Sequence, residues 1–412
     1  MKIDLTKFQI PNIDSWKNQV LKEANSDEAL KYTNHIENIR IDISSKNNQK
    51  VFASASVKGD WDVCSAFKID DSFENNEIIL KCLEHGSNHI YLEIVNKNPN
   101  WNKIFENIFI EIIHVSISFH HPEQIETFKL FVKKENEKNF TVCIDTFDIS
   151  YYDYFKNSSV SFCINGFNLE QIGASTYQQI AQVLLCGERI LQLCKSPERL
   201  KFKIGIGSNF LIEIAKIRAH KWLWNHILSQ NNYSQNEIYI LGCTGWTNKS
   251  VKDPHTNLLR QTTEGLSAII GGSSGLLTHS ANELTTEGAT WFDLRMSLNI
   301  SHILKEESFL SKVLDPMKGS YLIEMLTEQI IHNSWDLFLE LHTNSEHENN
   351  TLILDKIKET RKKKMEEFHT GNKELIGINL FQNQNEENRN WDHIPNYMEM
   401  NYLIFENLKI NG

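Results

Sequence analysis

The chain has 412 residues, 40% apolar and 23% charged, a globular balance with room for one large barrel or two to three domains. Its net charge of −11, with no basic cluster beyond Arg361–Lys364, excludes a phosphate-tracking nucleic-acid surface. Seven cysteines without a C-x-x-C pair, no apolar run near the ~20 residues of a membrane span and no signal-peptide layout at the N-terminus set the expectation of a soluble, cytoplasmic protein with reduced thiols.

Residues 1–45 are expected to form a helical arm. Asn12 or Asp14 can cap a helix through WKNQVLKEA, and Asp27–Leu30 opens a second short one. Strand and helix patterns then alternate. Apolar strand candidates lie at 88–95, 108–118, 139–147, 159–167, 202–207, 237–243 and 274–279, with a further strand expected near 51–56. Helical segments at 73–84 and 176–194 fall between or after them. After the strand at 202–207, Leu211, Ile214, Ala215, Ile217, Ala219, Trp222 and Leu223 cluster on one broad helical face. Strands joined by crossover helices make a parallel sheet, and a (β/α)8 TIM barrel is the closed arrangement that suits this number of units. The expected division is a helical arm (1–45), a barrel (46–345) and a C-terminal helix with a short linker extension (346–412). The RKKKMEE run (361–367) reads as a solvated helix face.

Several strand candidates carry Ser, Thr or Cys: Ser116, Ser118, Thr141, Cys143, Ser161 and Cys163. The simpler expectation is that they face the helices or only lighten the core. The Gly205/Gly207 pair is too short a motif for a phosphate loop, and His120-His121 and His220/His226 lack a third ligand, so no metal site is expected. G-x-S-x-G, P-loop and H-E-x-x-H signatures are absent.

Between Phe202 and Glu328 the segments KFKIGIGSNFLIEIAKIRAHKWLW, IYILGCTGW, DPHTNLLRQTTEGLSAIIGG, EES and VLDPMKGSYLIEMLTEQI follow one another. In order and spacing this stretch resembles the barrel domain of the methylmalonyl-CoA mutase family. GNKELIGINLFQ (371–382) is similar to the segment that leads from that barrel toward the linker. The resemblance implies a reaction that moves a carbonyl-thioester group between adjacent carbons by adenosylcobalamin radicals, in which the cofactor carries the chemistry and the protein orients it. It also implies a barrel lined by small residues, through which the pantetheine arm of coenzyme A threads. The N-terminal tryptophan helix resembles the start of the family's small subunits, where it packs on the partner; it could equally dock on its own domain.

Three elements depart from the catalytic pattern. In NGFNLEQIGA (165–174), Phe167 and Asn168 stand where the family has Tyr and His; Asn168 can donate a hydrogen bond but cannot shuttle a proton near neutral pH. Ile240 and Gly242 stand where His and Gln face the corrin. Around 50–67 no Arg-Gly-Pro segment occurs, and only Lys50 and Lys58 offer cations for coenzyme A phosphates. Glu283 is the best surviving corrin-side group, more structural than ligating, and Arg260 and Arg295 are expected to be buried hydrogen-bond organisers. No D-x-H-x-x-G occurs, so the usual cobalt ligand is missing and a cobalamin domain is not expected. The resemblance therefore implies a non-catalytic small subunit without catalytic, cofactor or metal residues of its own. It would stabilise a large subunit that holds adenosylcobalamin, as a heterodimer. The alternatives are the catalytic barrel of a split mutase, with the cobalamin domain on another chain, and a free-standing acyl-CoA-binding module.

Overall fold

A computed structural model of the chain describes residues 12–42, 50–52, 59–72, 76–250, 254–280, 282 and 289–381. Helix α1 (Ile13–Ala24) starts where the Asn12 side chain accepts from the Asp14 N–H at 3.0 Å, and stops at Asn25 in the left-handed conformation. The second half of the expected helical arm is a hairpin. β1 (Lys31–Asn34) and β2 (Ile39–Asp42) pair antiparallel, because Ile39 and Ile41 alternate with Arg40 and Asp42 and bury one face. The Asn34 carboxamide accepts from the Ile36 and Glu37 N–H groups and shapes the turn.

The barrel follows in chain order: β3 (Asp62–Ile69), α2 (Glu77–Glu84), β4 (His89–Ile94), α3 (Trp101–Ile104), β5 (His114–Phe119), α4 (Pro122–Phe131), β6 (Phe140–Asp145) and α5 (Tyr151–Phe155). It continues with β7 (Ser161–Asn165), α6 (Phe167–Gln171), α7 (Thr176–Cys194), β8 (Leu200–Ile206), α8 (Phe210–Gln230), β9 (Tyr239–Thr244), α9 (Pro254–Gly271), β10 (Gly275–Leu277) and α10 (Trp291–His302). Eight parallel strands close in the order β10-β3-β4-β5-β6-β7-β8-β9, the (β/α)8 TIM barrel. Two long helices, α11 (Tyr321–His342) and α12 (Glu346–His369), follow it. Among the described residues no helix is long and apolar enough to cross a membrane.

Two strand boundaries differ from the pattern read in the sequence. The first barrel strand is Asp62–Ile69, not 51–56, and residues 53–58 lie outside the described ones. The apolar run at 108–118 enters the sheet only at His114; Ile108, Ile110 and Ile113 instead pack half-buried against the core. The C-terminal helix expected within 346–412 runs over Glu346–His369, from the Ser345 capping box.

Each barrel strand alternates between two environments. One face sends Val63, Ile90, Leu92, Val115, Ile117, Val142, Phe162, Ile164, Phe202 and Ile204 outward into the shell of helices. Each such side chain contributes roughly 1.5–3 kcal/mol by leaving water. The packing is tight where α7 crosses β8 and α8: a Cβ at Gly187 would lie 2.9 Å from the Trp224 ring, so only glycine allows this approach.

Candidate functional site

The inward faces of the strands carry different chemistry. Cys64, Tyr91, Cys143, Cys163, Leu241, Cys243 and Leu277, from six strands around the barrel, form a second buried cluster separate from the helix-facing core. Residues from opposite sides of a closed sheet meet only inside it. Cys143 and Cys163 therefore line the interior, as do Ser116 and Thr141 by strand alternation, and the expectation that they face the helices is overturned. Burial pushes the Cys243 thiol up to about 12 and raises Cys64 as well, so both stay protonated.

Lys203 crosses this interior from β8. Its Nζ lies 3.7 Å from the centre of the Tyr91 ring and 4.7 Å from that of Phe167, and the side chain is buried. A strand reading K-F-K-I-G-I carries the signal: period two puts Lys201 and Lys203 on the face opposite Phe202 and Ile204. The sequence reading did not single out either lysine.

At the C-terminal end of the strands, the end where barrels of this kind build their sites, Phe167 caps the interior. Its N–H donates to Asn165 Oδ1 at 3.3 Å, which fixes the turn out of β7. The Phe167 ring stacks on the His279 imidazole at 5.2 Å, and Trp246 packs against the same imidazole at 4.4 Å. The His279 N–H donates to Thr244 Oγ1 at 3.0 Å, joining the ends of β9 and β10. All three rings are buried. Asn168, half-buried, hydrogen-bonds the carboxylate of Asp145 at the end of β6; burial raises that carboxyl, and bonds from the Phe147 N–H and Asn168 oppose the rise.

The other predicted positions are elsewhere. Ile240 belongs to the helix-facing core, and a Cβ at Gly242 would meet Ala268 on α9 at 3.0 Å, so both face the helices rather than the barrel interior. Glu283 lies outside the described residues. Arg260 is an organiser, donating to Asn257 Oδ1 at 2.9 Å and to the Ile376 carbonyl at 2.5 Å, but Arg295 is exposed on α10. Gly205 faces the Glu170 side-chain stem and Gly207 the carboxylates of Glu213 and Glu170, which is no cradle for a phosphate.

Beside the capped mouth is a cavity of about 400 Å³, bounded by the loops after β7, β8 and β9, the β1–β2 turn and α12. Its walls are charged. Glu170 accepts from Thr247 Oγ1 at 2.5 Å and from Gln171; burial raises its carboxyl. Lys249 sits 2.7 Å from both oxygens of Glu264. From α12, Arg361 and Lys364 turn half-buried toward the cavity, and Lys364 donates to the Ala174 carbonyl at 2.7 Å; only Lys362 and Lys363 of that basic run are exposed.

The segments between 213 and 324 that resemble the mutase barrel meet in one network. Arg218 donates to Glu324 and to the Phe52 carbonyl, each at 2.7 Å, and pairs with Asp315. Glu324 in turn accepts from the N–H groups of Phe52 at 3.0 Å and Gly319 at 2.8 Å. Lys216 bridges Glu213 and the Gly205 carbonyl. Arg218 thus locks α8 to α11 and the loop before it, and Lys216 ties α8 to the end of β8.

Residues 135–403 match the family described as methylmalonyl-CoA mutase. The chain is 39% identical over 190 residues to the methylmalonyl-CoA mutase small subunit of Porphyromonas gingivalis, covering 43% of this chain and 31% of that protein. It is 28% identical over 265 residues to the methylmalonyl-CoA mutase of Rhizobium meliloti, covering 61% of this chain and 37% of that one. The match thus spans about a third of the length of these curated relatives. Among solved structures, the dihydropteroate synthase of Yersinia pestis aligns with a TM-score of 0.39 at 11% identity, over 63% of this chain and 100% of the other. By the match of more than half its length, the chain is a member of the methylmalonyl-CoA mutase family.

Proposed function

We propose that this chain is a non-catalytic small subunit of an adenosylcobalamin-dependent methylmalonyl-CoA mutase. It pairs with a catalytic large subunit and stabilises it, and the large subunit holds the cofactor and converts methylmalonyl-CoA to succinyl-CoA. The observation that carries this reading is the mouth of the barrel. Phe167 and Asn168 stand where the resemblance expects Tyr and His, and the Phe167 ring is buried against His279, beside Trp246 and over Lys203.

A phenol and an imidazole at these positions could donate protons to a thioester carbonyl. A phenyl ring cannot, and Asn168 has no titrating group. The mouth fits the cofactor poorly: His279 is buried and packed against the Phe167 and Trp246 rings rather than presented to a cobalt ion. No chemical step is assigned to this chain. The relative named as a small subunit supports the pairing.

The test is co-purification with a large mutase subunit, a mass measurement, and an assay with adenosylcobalamin. A one-to-one complex whose activity is unchanged within twofold by Asn168→Ala supports the scaffold role. Rearrangement of methylmalonyl-CoA by this chain alone with cofactor, or with a lone cobalamin-domain protein, overturns it in favour of the split-enzyme reading.

A further inference from the structure

The N-terminal end of the barrel, opposite the capped mouth, holds a cluster that the sequence reading missed. Asp62, His89 and His114 are the first residues of β3, β4 and β5. His89 is the register partner of His114, and Asp62 precedes the His89 partner Cys64 by two residues, so all three side chains point inward from adjacent strands. One ligand atom from each lies within 4.8 Å of the others. His114 Nδ1 approaches Asp62 Oδ2 to 2.7 Å.

The surroundings orient these groups as metal ligands are oriented. His89 Nε2 is held by the Ser116 hydroxyl at 2.9 Å, which turns Nδ1 toward the cluster. Tyr239, the first residue of β9, donates its hydroxyl to Asp62 Oδ2 at 2.7 Å and sits 3.1 Å from His89 Nδ1. Second partners of this kind fix ring orientation and ligand basicity at metal centres. His89 is buried, whereas the His114 side chain is 49% exposed, so the cluster opens to solvent on one side.

We infer that Asp62, His89 and His114 form a binding site for a divalent transition-metal ion of the zinc type, with at least one position open to water or a small anion. Two imidazoles and one carboxylate are a borderline donor set that suits Zn2+ and Co2+ better than Mg2+ or Ca2+. The nearby Glu93–His120 pair, 2.9 Å apart at the other end of β4 and β5, supplies only two ligands and serves as an internal control. The inference is independent of the proposed subunit role.

The experiment uses the full chain, stripped with chelator and titrated with Zn2+ by calorimetry and with Co2+ by visible absorption. The expected result is one saturable equivalent, with the d–d band of a low-symmetry Co2+ site, and a rise in Tm on adding Zn2+. Asp62→Asn and His114→Ala should abolish that equivalent while circular dichroism stays unchanged. Tyr239→Phe should weaken it roughly tenfold, and His120→Ala should leave it unaltered. The absence of saturable binding by the wild-type chain overturns the inference, as does equal binding by folded Asp62→Asn and His114→Ala; the cluster is then a hydrogen-bonded plug of the barrel floor.

Discussion

Arg218 on α8 and Lys203 on β8 are both buried cations, and they have opposite surroundings. Arg218 meets the carboxylates of Glu324 and Asp315 and a backbone carbonyl. Lys203 meets the faces of Tyr91 and Phe167. Both lie in the segment KFKIGIGSNFLIEIAKIRAHKWLW that resembles the mutase barrel, but Arg218 serves the frame between helices, whereas Lys203 reaches the mouth where the expected Tyr and His are replaced. A frame held by charge pairs must keep its partners, because a lone buried charge is costly. A mouth filled by rings and thiols has no such constraint, and its residues are free to change once no chemistry depends on them. The difference between the two regions teaches which parts of the barrel still answer to the fold.

That contrast can be broken by substitution. Arg218→Ala leaves Glu324 uncompensated in the interior and should cost about 3–5 kcal/mol in urea unfolding; Arg218→Met with Glu324→Gln should recover a large part of it. A loss below about 1 kcal/mol would remove the distinction between frame and mouth. Gly187→Ala, also in the frame, forces a methyl group against Trp224 and should cost about 1–3 kcal/mol by the same assay.

His220 sharpens the frame side through pH. Its ring is buried against Phe202 without a hydrogen bond to either nitrogen, and burial pushes it down to about 3 from the ordinary 6.5. The folded state therefore refuses a proton that the unfolded chain accepts between those values. The stability that neutral His220 supplies is complete above about pH 6.5 and falls as pH drops toward 3. Relative to His220→Leu, the wild type should lose about 1.4 kcal/mol per pH unit in that window. A pH-independent difference between the two would show that the ring takes up a proton when folded. The smallest effect is expected at the mouth: Lys203→Met exchanges a cation over two rings for an apolar chain of similar length, and should shift stability by less than about 1 kcal/mol.

Much of this was legible in the sequence for a physical reason. Buried parallel strands such as FTVCID and SFCIN are short apolar runs between helical periods, and their positions follow from that. The first barrel strand was misplaced because V-F-A-S-A-S-V alternates as cleanly as D-V-C-S-A-F-K-I; nothing local says which one enters the sheet. The hairpin at 31–42 was hidden because four-residue strands are shorter than any period can resolve. Phe167 and Asn168 were found because NGFNLEQIGA (165–174) resembles the family segment in which Tyr and His stand at those two positions. Lys203 escaped because Tyr91 comes from a strand on the far side of the barrel, which only closure brings near, and the Asp62–His89–His114 cluster because its members meet only through the register of β3, β4 and β5.

The β1–β2 hairpin has a consequence for how the chain is made. The Gln329 side chain of α11 exchanges two hydrogen bonds with the backbone of Arg40, at 2.9 and 2.7 Å, across a separation of 289 residues. Asn333 binds the Glu37 and Asn38 carbonyls of the same turn. At about 5–20 residues per second of synthesis, the hairpin emerges from the ribosome on the order of 15–60 s before its docking surface exists. Ile39 and Ile41 wait through that interval without their final cover, so the hairpin can reach its native packing only after almost the whole barrel has been synthesised.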